Sequence, residues 1–426
     1  MNALDRASIL RACTSLAEDL LQRSSSDLGC VTDASRSGII LPWRQHRGIE
    51  HPLHSIMPRV GGFPPALARY LIAAHSKPGD VVLDPFCGKG TVLFEASRMG
   101  RRAVGGDIAP DAVVASRAKC AKVSLATVAN YIQKLNPRVY TSTASVPSEV
   151  RVFYSRKTLL QILSLRDQLL QDMRSEGADK EVATFVCGVL LGILHGHSRV
   201  SLSVPSNQCF AMAPNYVRRY VSEHGLEPPQ RDVKQCLLIK AMAMLPGPRW
   251  RSHAEVYEAS AEDCASYAGS YPDVALALTS PPYLNRQTYS KDAWLRLWFL
   301  GEDHREVAKR SLESGSVRIF VQSMTRVIRS IGQCVRSGGT IVIVGGRANV
   351  HVGSTKTPVR IVDLCLHAIH MLREAGAKLT PLQIISDRAI MKRGSYFAVY
   401  AGKHRDENGN KLERYGEEEI LIVRKR

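Results

Sequence analysis

Residues 81–107 read VVLDPFCGKGTVLFEASRMGRRAVGGD. An apolar strand, VVLD, leads through a glycine-rich turn into a helix that begins near Val92, and a second apolar strand ends at Asp107. Two strands separated by a helix in this way are typical of a parallel sheet. The stretch therefore predicts an α/β fold with a Rossmann-like core.

Further strands are predicted on the C-terminal side, at 274–280, 338–346 and 381–389. The stretches SYFAVYAGK and EEEILIVRK, joined by the polar loop DENGN, predict a C-terminal antiparallel hairpin. Helical periodicity dominates between these strands and the first unit. The chain is thus expected to contain an N-terminal cap (1–60), two core parts (61–126 and 250–426) and a mainly helical insertion (127–249) between them.

The overall charge points to an acidic partner. The chain has 57 Lys and Arg against 39 Asp and Glu, a formal net charge of +18 and a pI near 9.6. Such a field attracts polyanions, so nucleic acid is the leading partner. The alternative is that the charge only keeps the surface soluble.

The remaining composition favours a cytoplasmic protein. The ten cysteines are scattered and contain no Cys-x-x-Cys pair, as expected of reduced thiols without a zinc site. The N-terminus has acids within its apolar pattern and predicts no secretory signal. The longest apolar run, at 185–194, is interrupted by two glycines and is shorter than the roughly 20 residues that a bilayer requires. We expect no membrane segment and no metal.

The glycine-rich turn, Asp84 to Thr91, has the properties of a ligand-binding loop. Gly88 and Gly90 permit positive φ and a close approach of the backbone, and the helix that follows offers free N–H groups. Asp107, at the end of the next strand, could accept hydrogen bonds from ribose hydroxyls. Together they predict a nucleoside-cofactor site, since the G-x-x-x-x-G-K-[ST] pattern for phosphates is absent. The alternative is two ordinary turns of an α/β sheet.

A second motif, Ser280-Pro281-Pro282-Tyr283, directly follows the strand at 274–278. Two prolines cannot continue a central strand, so the chain must leave the sheet at its carboxyl edge, where such folds bind ligands. The Ser280 hydroxyl and nearby carbonyls can accept hydrogen bonds from an exocyclic amine, and the Tyr283 ring can stack on a flat base.

These two motifs resemble those of the DNA amino-methyltransferases that use S-adenosylmethionine. The DPF-x-G-x-G-T turn is similar to their cofactor motif, and SPPY is similar to the catalytic motif of the N4-cytosine branch. The resemblance implies a class I methyltransferase core, the cofactor S-adenosylmethionine and double-stranded DNA as the substrate. If the protein serves a restriction–modification system, a cognate restriction endonuclease is a further partner.

The resemblance also implies roles for individual residues. The catalytic residues would be Ser280, Pro281, Pro282 and Tyr283. The cofactor would be bound by Phe63, Pro64, Pro65, Asp84, Pro85, Phe86, Gly88, Gly90, Thr91, Asp107, Ile108 and Asp263. Two departures are that Lys89 replaces the usual Ser between the glycines, which leaves its role open, and that the cofactor motif precedes SPPY.

The chemistry expected of this family is direct methyl transfer to a base amino group. Acceptors at Ser280 and the Pro281 carbonyl would favour the tetrahedral nitrogen that attacks the methyl group. The target base would be flipped out of the duplex onto Tyr283. A C5-cytosine mechanism is excluded because its Pro-Cys pair is absent from the sequence. Methylation of adenine N6 or of an RNA base, and a non-catalytic nucleic-acid-binding protein, remain as alternatives.

Several basic side chains are candidates for DNA contacts. Arg218 and Arg219 lie in the insertion beside Tyr216 and Tyr220, and they could read bases, bind phosphates or simply pack. The other candidates are Lys291, Lys392 and Arg393. Trp294 and Trp298, four residues apart, favour a helix packed in the core over a base pocket.

Overall fold

A computed structural model describes residues 31–33, 51–59, 62–136, 139–205, 213–246, 254–271, 273–284, 289–312, 316–352, 355–390 and 415–426. The strands are β1 (Val31–Asp33), β2 (Val81–Asp84), β3 (Arg102–Asp107), β4 (Ala254–Glu258), β5 (Val274–Thr279), β6 (Val335–Val352), β7 (Thr355–Arg360), β8 (Leu379–Ile390) and β9 (Tyr415–Lys425).

The helices fall between these strands. They are α1 (Pro65–His75), α2 (Thr91–Arg98), α3 (Pro110–Cys120), α4 (Leu125–Lys134), α5 (Ser148–Arg151), α6 (Arg156–Arg174), α7 (Lys180–Ile193), α8 (Pro214–Glu223), α9 (Val233–Met244), α10 (Cys264–Ala268), α11 (Tyr289–Asp292), α12 (Trp294–Leu300), α13 (His304–Arg310), α14 (Val317–Cys334) and α15 (Ile361–Glu374). Short 3-10 helices span Pro52–Ser55 and Ala261–Asp263.

The described strands form one sheet in the order β1-β8-β9-β6-β5-β2-β3-β4, and β7 pairs with β6 outside this path. Neighbours from β4 to β6 are parallel, and β9 is antiparallel to both β6 and β8. The Rossmann-like α/β fold with a mostly parallel sheet is therefore confirmed. Its central strands β3, β2 and β5 end at Asp107, Asp84 and Thr279, which brings these three residues to one edge.

The C-terminal strand β9 is antiparallel to its neighbours, as predicted for this end of the chain. Both edges of residues 418–424 in β9 are paired, one with β6 and the other with β8. The stretch 395–403, which the sequence predicts as the other strand of the hairpin, lies outside the described residues. Central strands need partners on both sides to satisfy their backbone groups, and β8 supplies the second.

Side chains from the two faces of the sheet belong to two different apolar clusters. Val82 and Leu278 belong to one cluster with Phe185 of the helical stretch, whereas Leu83 belongs to a second cluster with Phe320 of α14. Successive residues of a strand point to opposite faces, so the sheet is covered on both sides. Helices α5 to α9 lie within the predicted insertion and α4 crosses its first boundary at 127; the boundaries stay a prediction. No helix in the described part of the chain has the length and apolarity to cross a membrane.

Candidate active site

The glycine-rich turn connects β2 to α2 in the predicted way. Gly90 caps the helix with φ +71°, and a Cβ on it would come within 2.7 Å of the Ser116 hydroxyl. Only glycine adopts this backbone angle without strain and leaves room for α3 to pack this closely. Gly88 also has positive φ, but a Cβ there would meet no heavy atom within 4 Å, because Gly88 faces open space.

Asp107 fixes this turn from the neighbouring strand. Its Oδ2 accepts a hydrogen bond of 2.9 Å from the Gly88 N–H, and its Oδ1 accepts one of 2.9 Å from the Ala109 N–H. Burial raises the pKa of Asp107, while the nearby charge of Arg59 and the two backbone donors lower it. A carboxylate oxygen can accept more than one hydrogen bond, so both oxygens retain acceptor capacity for a ligand.

Asp84 lies at the adjacent strand end and is buried. Its Oδ1 accepts hydrogen bonds from the Thr279 hydroxyl (2.7 Å) and the Phe86 N–H (3.2 Å). Burial raises the pKa of Asp84 to about 7, against the lowering effect of these donors. The bond to Thr279 connects the glycine-rich turn to the residue that precedes Ser280.

The predicted catalytic motif leaves the sheet at the end of β5. Pro281 is buried, whereas Ser280, Pro282 and Tyr283 are partly exposed. All four residues line a cleft of about 270 Å³ that the glycine-rich turn also lines. The two motifs, almost 200 residues apart in the chain, therefore share one cavity because β2 and β5 are adjacent parallel strands.

The cleft brings together most of the predicted cofactor-binding residues. The predicted residues on its wall are Phe63, Asp84, Pro85, Phe86, Gly88, Thr91, Asp107, Ile108, Ser280, Pro281, Pro282 and Tyr283. Pro64 and Pro65 cap and begin α1 outside the lining, and Gly90 acts through the backbone of the turn.

The structure leaves Asp263 outside the cleft. Asp263 is exposed at the end of its 3-10 helix, and its neighbour Glu262 lines the cleft instead. The Glu262 carboxylate accepts hydrogen bonds from Arg326 (2.6 and 2.9 Å) and Ser323 (2.7 Å), and the Arg326 bonds lower its pKa. The helical turn rotates these adjacent side chains apart, which spacing in the sequence does not reveal.

Lys89 joins the glycine-rich turn to the segment before α1. Its Nζ donates a hydrogen bond of 3.3 Å to the His54 carbonyl, and a Cβ on Gly62 would lie 3.0 Å from its Cε. Lys89 also lines the cleft. The residue that departs from the family pattern therefore holds two parts of the cleft wall together.

Sequence reasoning missed an ion pair in the cleft. Arg59 Nη1 lies 2.6 Å from Asp111 Oδ2, and both residues line the cavity. The position of Asp111, four residues after Asp107 and directly after Pro110 at a helix start, was a usable signal for a residue near this edge. Nothing in the sequence pairs it with Arg59, which is 52 residues away.

The predicted DNA contacts lie in different parts of the structure. Arg218 and Arg219 are exposed on α8 and are not part of the cleft lining. Arg218 donates to Asn215 (3.1 Å), and the Arg219 guanidinium lies 5.6 Å from the Tyr216 ring centroid. Lys291 is exposed on α11, between cleft residues and the helix that carries the tryptophans. Lys392 and Arg393 lie outside the described residues.

The two tryptophans pack away from the cleft. The Trp294 ring meets Phe153 edge-on at 5.7 Å, and the Arg166 guanidinium lies 5.4 Å from the Trp298 ring centroid. Both rings pack against the larger apolar cluster, as expected of aromatic residues four apart on a helix.

Comparison with known proteins finds similarity to methyltransferases, and the family match includes the glycine-rich turn. The sequence model of the DNA methylase family matches residues 40–117, less than half of the chain. The chain is 41% identical over 58 residues to the Type II methyltransferase M.MjaII of Methanocaldococcus jannaschii, a stretch that covers 14% of this chain and 11% of the relative. It is 36% identical over 81 residues to the Type II methyltransferase M.EcaI of Enterobacter cloacae, covering 18% and 17%.

A third relative is named as a methyltransferase of tRNA. The tRNA (guanine(10)-N2)-dimethyltransferase of Methanothermobacter thermautotrophicus is 51% identical over 49 residues, which cover 11% of this chain and 15% of the relative. The chain thus spans less than a fifth of the length of each of these relatives. The family match includes the glycine-rich turn, and the SPPY motif at 280–283 lies outside it.

Proposed function

We propose that this chain is an S-adenosylmethionine-dependent methyltransferase that modifies N4 of cytosine in double-stranded DNA. One observation carries the proposal: the turn held by Asp107 and the Ser280–Tyr283 motif line the same cleft. The match to the DNA methylase family supports the reaction and the class of substrate. Ser280, where relatives acting on adenine more often have Asn or Asp, favours cytosine.

The polar groups and the open space of the cleft fit S-adenosylmethionine. Asp107 has acceptor capacity for ribose hydroxyls, and Gly88 leaves open space above the turn. The first N–H groups of α2 suit a carboxylate. Bound S-adenosylmethionine would supply an electrophilic methyl group on a sulfonium.

The residues of the chain would act on the base rather than form a covalent intermediate. The Ser280 hydroxyl and the Pro281 carbonyl would accept the two N–H hydrogens of the amino group, which favours the tetrahedral nitrogen required for attack. The Tyr283 ring would stack on the flipped base and hold its nitrogen in line with the methyl group. The nitrogen would form its bond to the methyl carbon as the carbon–sulfur bond breaks, so that the sulfur keeps the electron pair and leaves as a neutral thioether. The nitrogen would then release one proton to water.

The decisive experiment is mass spectrometry of nucleosides from unmethylated duplex DNA incubated with the protein and methyl-deuterated S-adenosylmethionine. Deuterated N4-methylcytosine is the expected product, and Ser280→Ala serves as the matched control. Deuterated N6-methyladenine would support methyl transfer to a base amino group but would contradict the proposal that Ser280 selects cytosine. Cofactor binding without any labelled nucleoside would favour a non-catalytic nucleic-acid-binding protein.

A second candidate is methylation of a base amino group in RNA, which the similarity to the tRNA methyltransferase favours. The same incubation with total tRNA and rRNA tests it, since a label found only in RNA would show that RNA and not DNA is the substrate.

The helical stretch 127–249 is proposed as the region that selects the target. A partner restriction endonuclease is a further proposal, tested by looking for co-purification of a nuclease.

A further inference from the structure

Asp111 is a buried carboxylate with one oxygen in an ion pair and the other without a hydrogen-bond donor among the described residues. The residue is the second of α3 and has 0% relative exposure. Its Oδ2 pairs with Arg59 Nη1 at 2.6 Å. Its Oδ1 is buried and receives no hydrogen bond from any residue that the structure describes.

A buried acceptor without a donor is unfavourable and requires an explanation. Buried polar atoms in folded proteins are almost always hydrogen-bonded, and an unsatisfied charged group is more costly than a neutral one. The nearest backbone amides of α3 do not serve Asp111, because the Ala112 and Val113 N–H groups donate to the Ala109 carbonyl. Asp111 lines the cleft, so a ligand in the cleft can supply the missing donor.

The neighbouring Asp107 indicates which donor this is. Each oxygen of Asp107 already accepts one backbone N–H, and the residue lies four positions before Asp111 at the same edge of the sheet. A ribose presents two adjacent hydroxyls, and two neighbouring carboxylates can accept one each. Arg59 pairs with Oδ2 of Asp111 and fixes its rotamer, which leaves Oδ1 without a donor among the described residues.

We propose that Asp111 is a second cofactor-contacting carboxylate, whose Oδ1 accepts a hydrogen bond from a ribose hydroxyl, and that Arg59 is the positioning residue that orients it. This inference rests on the proposed function, which supplies the nucleoside. It gives the segment 51–59 an indirect part in cofactor binding, because Arg59 reaches the cleft from that segment and orients Asp111.

The test measures how much the removal of one ribose hydroxyl weakens the binding of S-adenosylhomocysteine. This ratio of dissociation constants is called the penalty below. Dissociation constants of S-adenosylhomocysteine and of its 2′-deoxy and 3′-deoxy analogues are measured by calorimetry for the parental protein and for Asp111→Asn. In the parental protein, removal of the hydroxyl bound by Asp111 should weaken binding about tenfold, the size expected for a hydrogen bond to a charged group. In Asp111→Asn, Arg59 retains the amide oxygen and the amide NH2 faces the cleft, where it can donate only a neutral hydrogen bond to the ribose oxygen. Because a neutral bond is weaker than one to a charged group, the same penalty should fall to about threefold or less.

A matched control exists elsewhere in the fold. Asp363 in the first turn of α15 also pairs with an arginine, Arg360, through Oδ2 (3.5 Å), and its Oδ1 likewise receives no hydrogen bond from the described residues, but it does not line the cleft. Asp363→Asn should keep both parental penalties. Arg59→Met should reduce the penalty as Asp111→Asn does, and Arg59→Lys should restore part of it, which a purely structural role of Arg59 would not produce.

The outcomes separate the two proposals. If Asp111→Asn keeps the parental penalties for both analogues, the assignment of Asp111 is wrong while the cofactor site stands. If the parental protein binds no S-adenosylhomocysteine, both the proposed function and this inference are overturned. Should Asp111→Asn fail to fold, Asp111→Glu keeps the charge but moves the carboxylate, and it should abolish the same penalty.

Discussion

The Thr279 hydroxyl donates a hydrogen bond of 2.7 Å to the buried carboxylate of Asp84. Thr279 ends the strand that leads into Ser280, and Asp84 ends the strand that leads into the glycine-rich turn. This single bond therefore connects the two walls of the cleft. Its partner acid has a pKa of about 7, because burial disfavours the ionised form.

Replacing Thr279 by Val should destabilise the protein more at pH 8 than at pH 5. The folded Asp84 keeps its proton up to about pH 7, whereas the ordinary value is 3.8, so its contribution to stability is lost as the pH rises through this window. Without the Thr279 donor the ionised Asp84 is less well solvated, and the cost should be about 1–3 kcal/mol at pH 8. Urea unfolding at both pH values measures it. Thr279→Ser is the control, and an equal loss at both pH values would contradict the account.

Replacing Asp107 by Asn should weaken cofactor binding by about 10- to 100-fold, because charged acceptors of this kind contribute about 1.5–3 kcal/mol. Calorimetry with S-adenosylhomocysteine gives the dissociation constants. Asp263→Asn is the matched control, since the exposed Asp263 does not line the cleft. A comparable loss in Asp263→Asn would show that the acid outside the cleft also contributes to binding.

Replacing Ser280 by Ala should lower turnover and leave cofactor affinity within about twofold, since the hydroxyl is assigned to the base amino group. The expected fall in kcat is about 10²- to 10³-fold, the usual effect of removing one positioned group at a developing charge. Single-turnover assays with labelled cofactor measure the chemical step. Methylation by Ser280→Ala at the parental rate would remove Ser280 from the mechanism.

The buried Lys119 should cause the free energy of unfolding to increase as the pH rises from about 7 to 10. Its side chain is fully buried, with Nζ 3.5 Å from the Thr91 hydroxyl, and burial lowers its pKa to about 7. The unfolded chain holds this proton up to the ordinary value of 10.5, so unfolding takes up a proton within this window. Lys119→Met should flatten the pH dependence of the free energy of unfolding. Lys122→Met, at an exposed lysine, should leave it unchanged.

Arg218 and Arg219 should contribute to DNA affinity through phosphates if the helical stretch contacts DNA. Each arginine replaced by Ala should then reduce the slope of log affinity against log salt by about one, with little change between DNA sequences. Fluorescence anisotropy at several salt concentrations measures the slope. Arg373→Ala, on α15 at the other face of the sheet, is the control. An unchanged slope in the Arg218 and Arg219 variants would exclude α8 from the interface.

The sequence by itself determined the local elements of the site. Its apolar strands, Gly88, Gly90 and the two prolines at 281–282 predicted both turns and the edge of the sheet at which they lie, because these residues act through their own backbone. Tertiary structure decided the features that depend on distant neighbours. Arg59 meets Asp111, Thr279 meets Asp84, and β9 pairs with β6 because packing brings together segments far apart in the chain. A local pattern does not encode such contacts, since each follows from how the strands and helices pack as a whole.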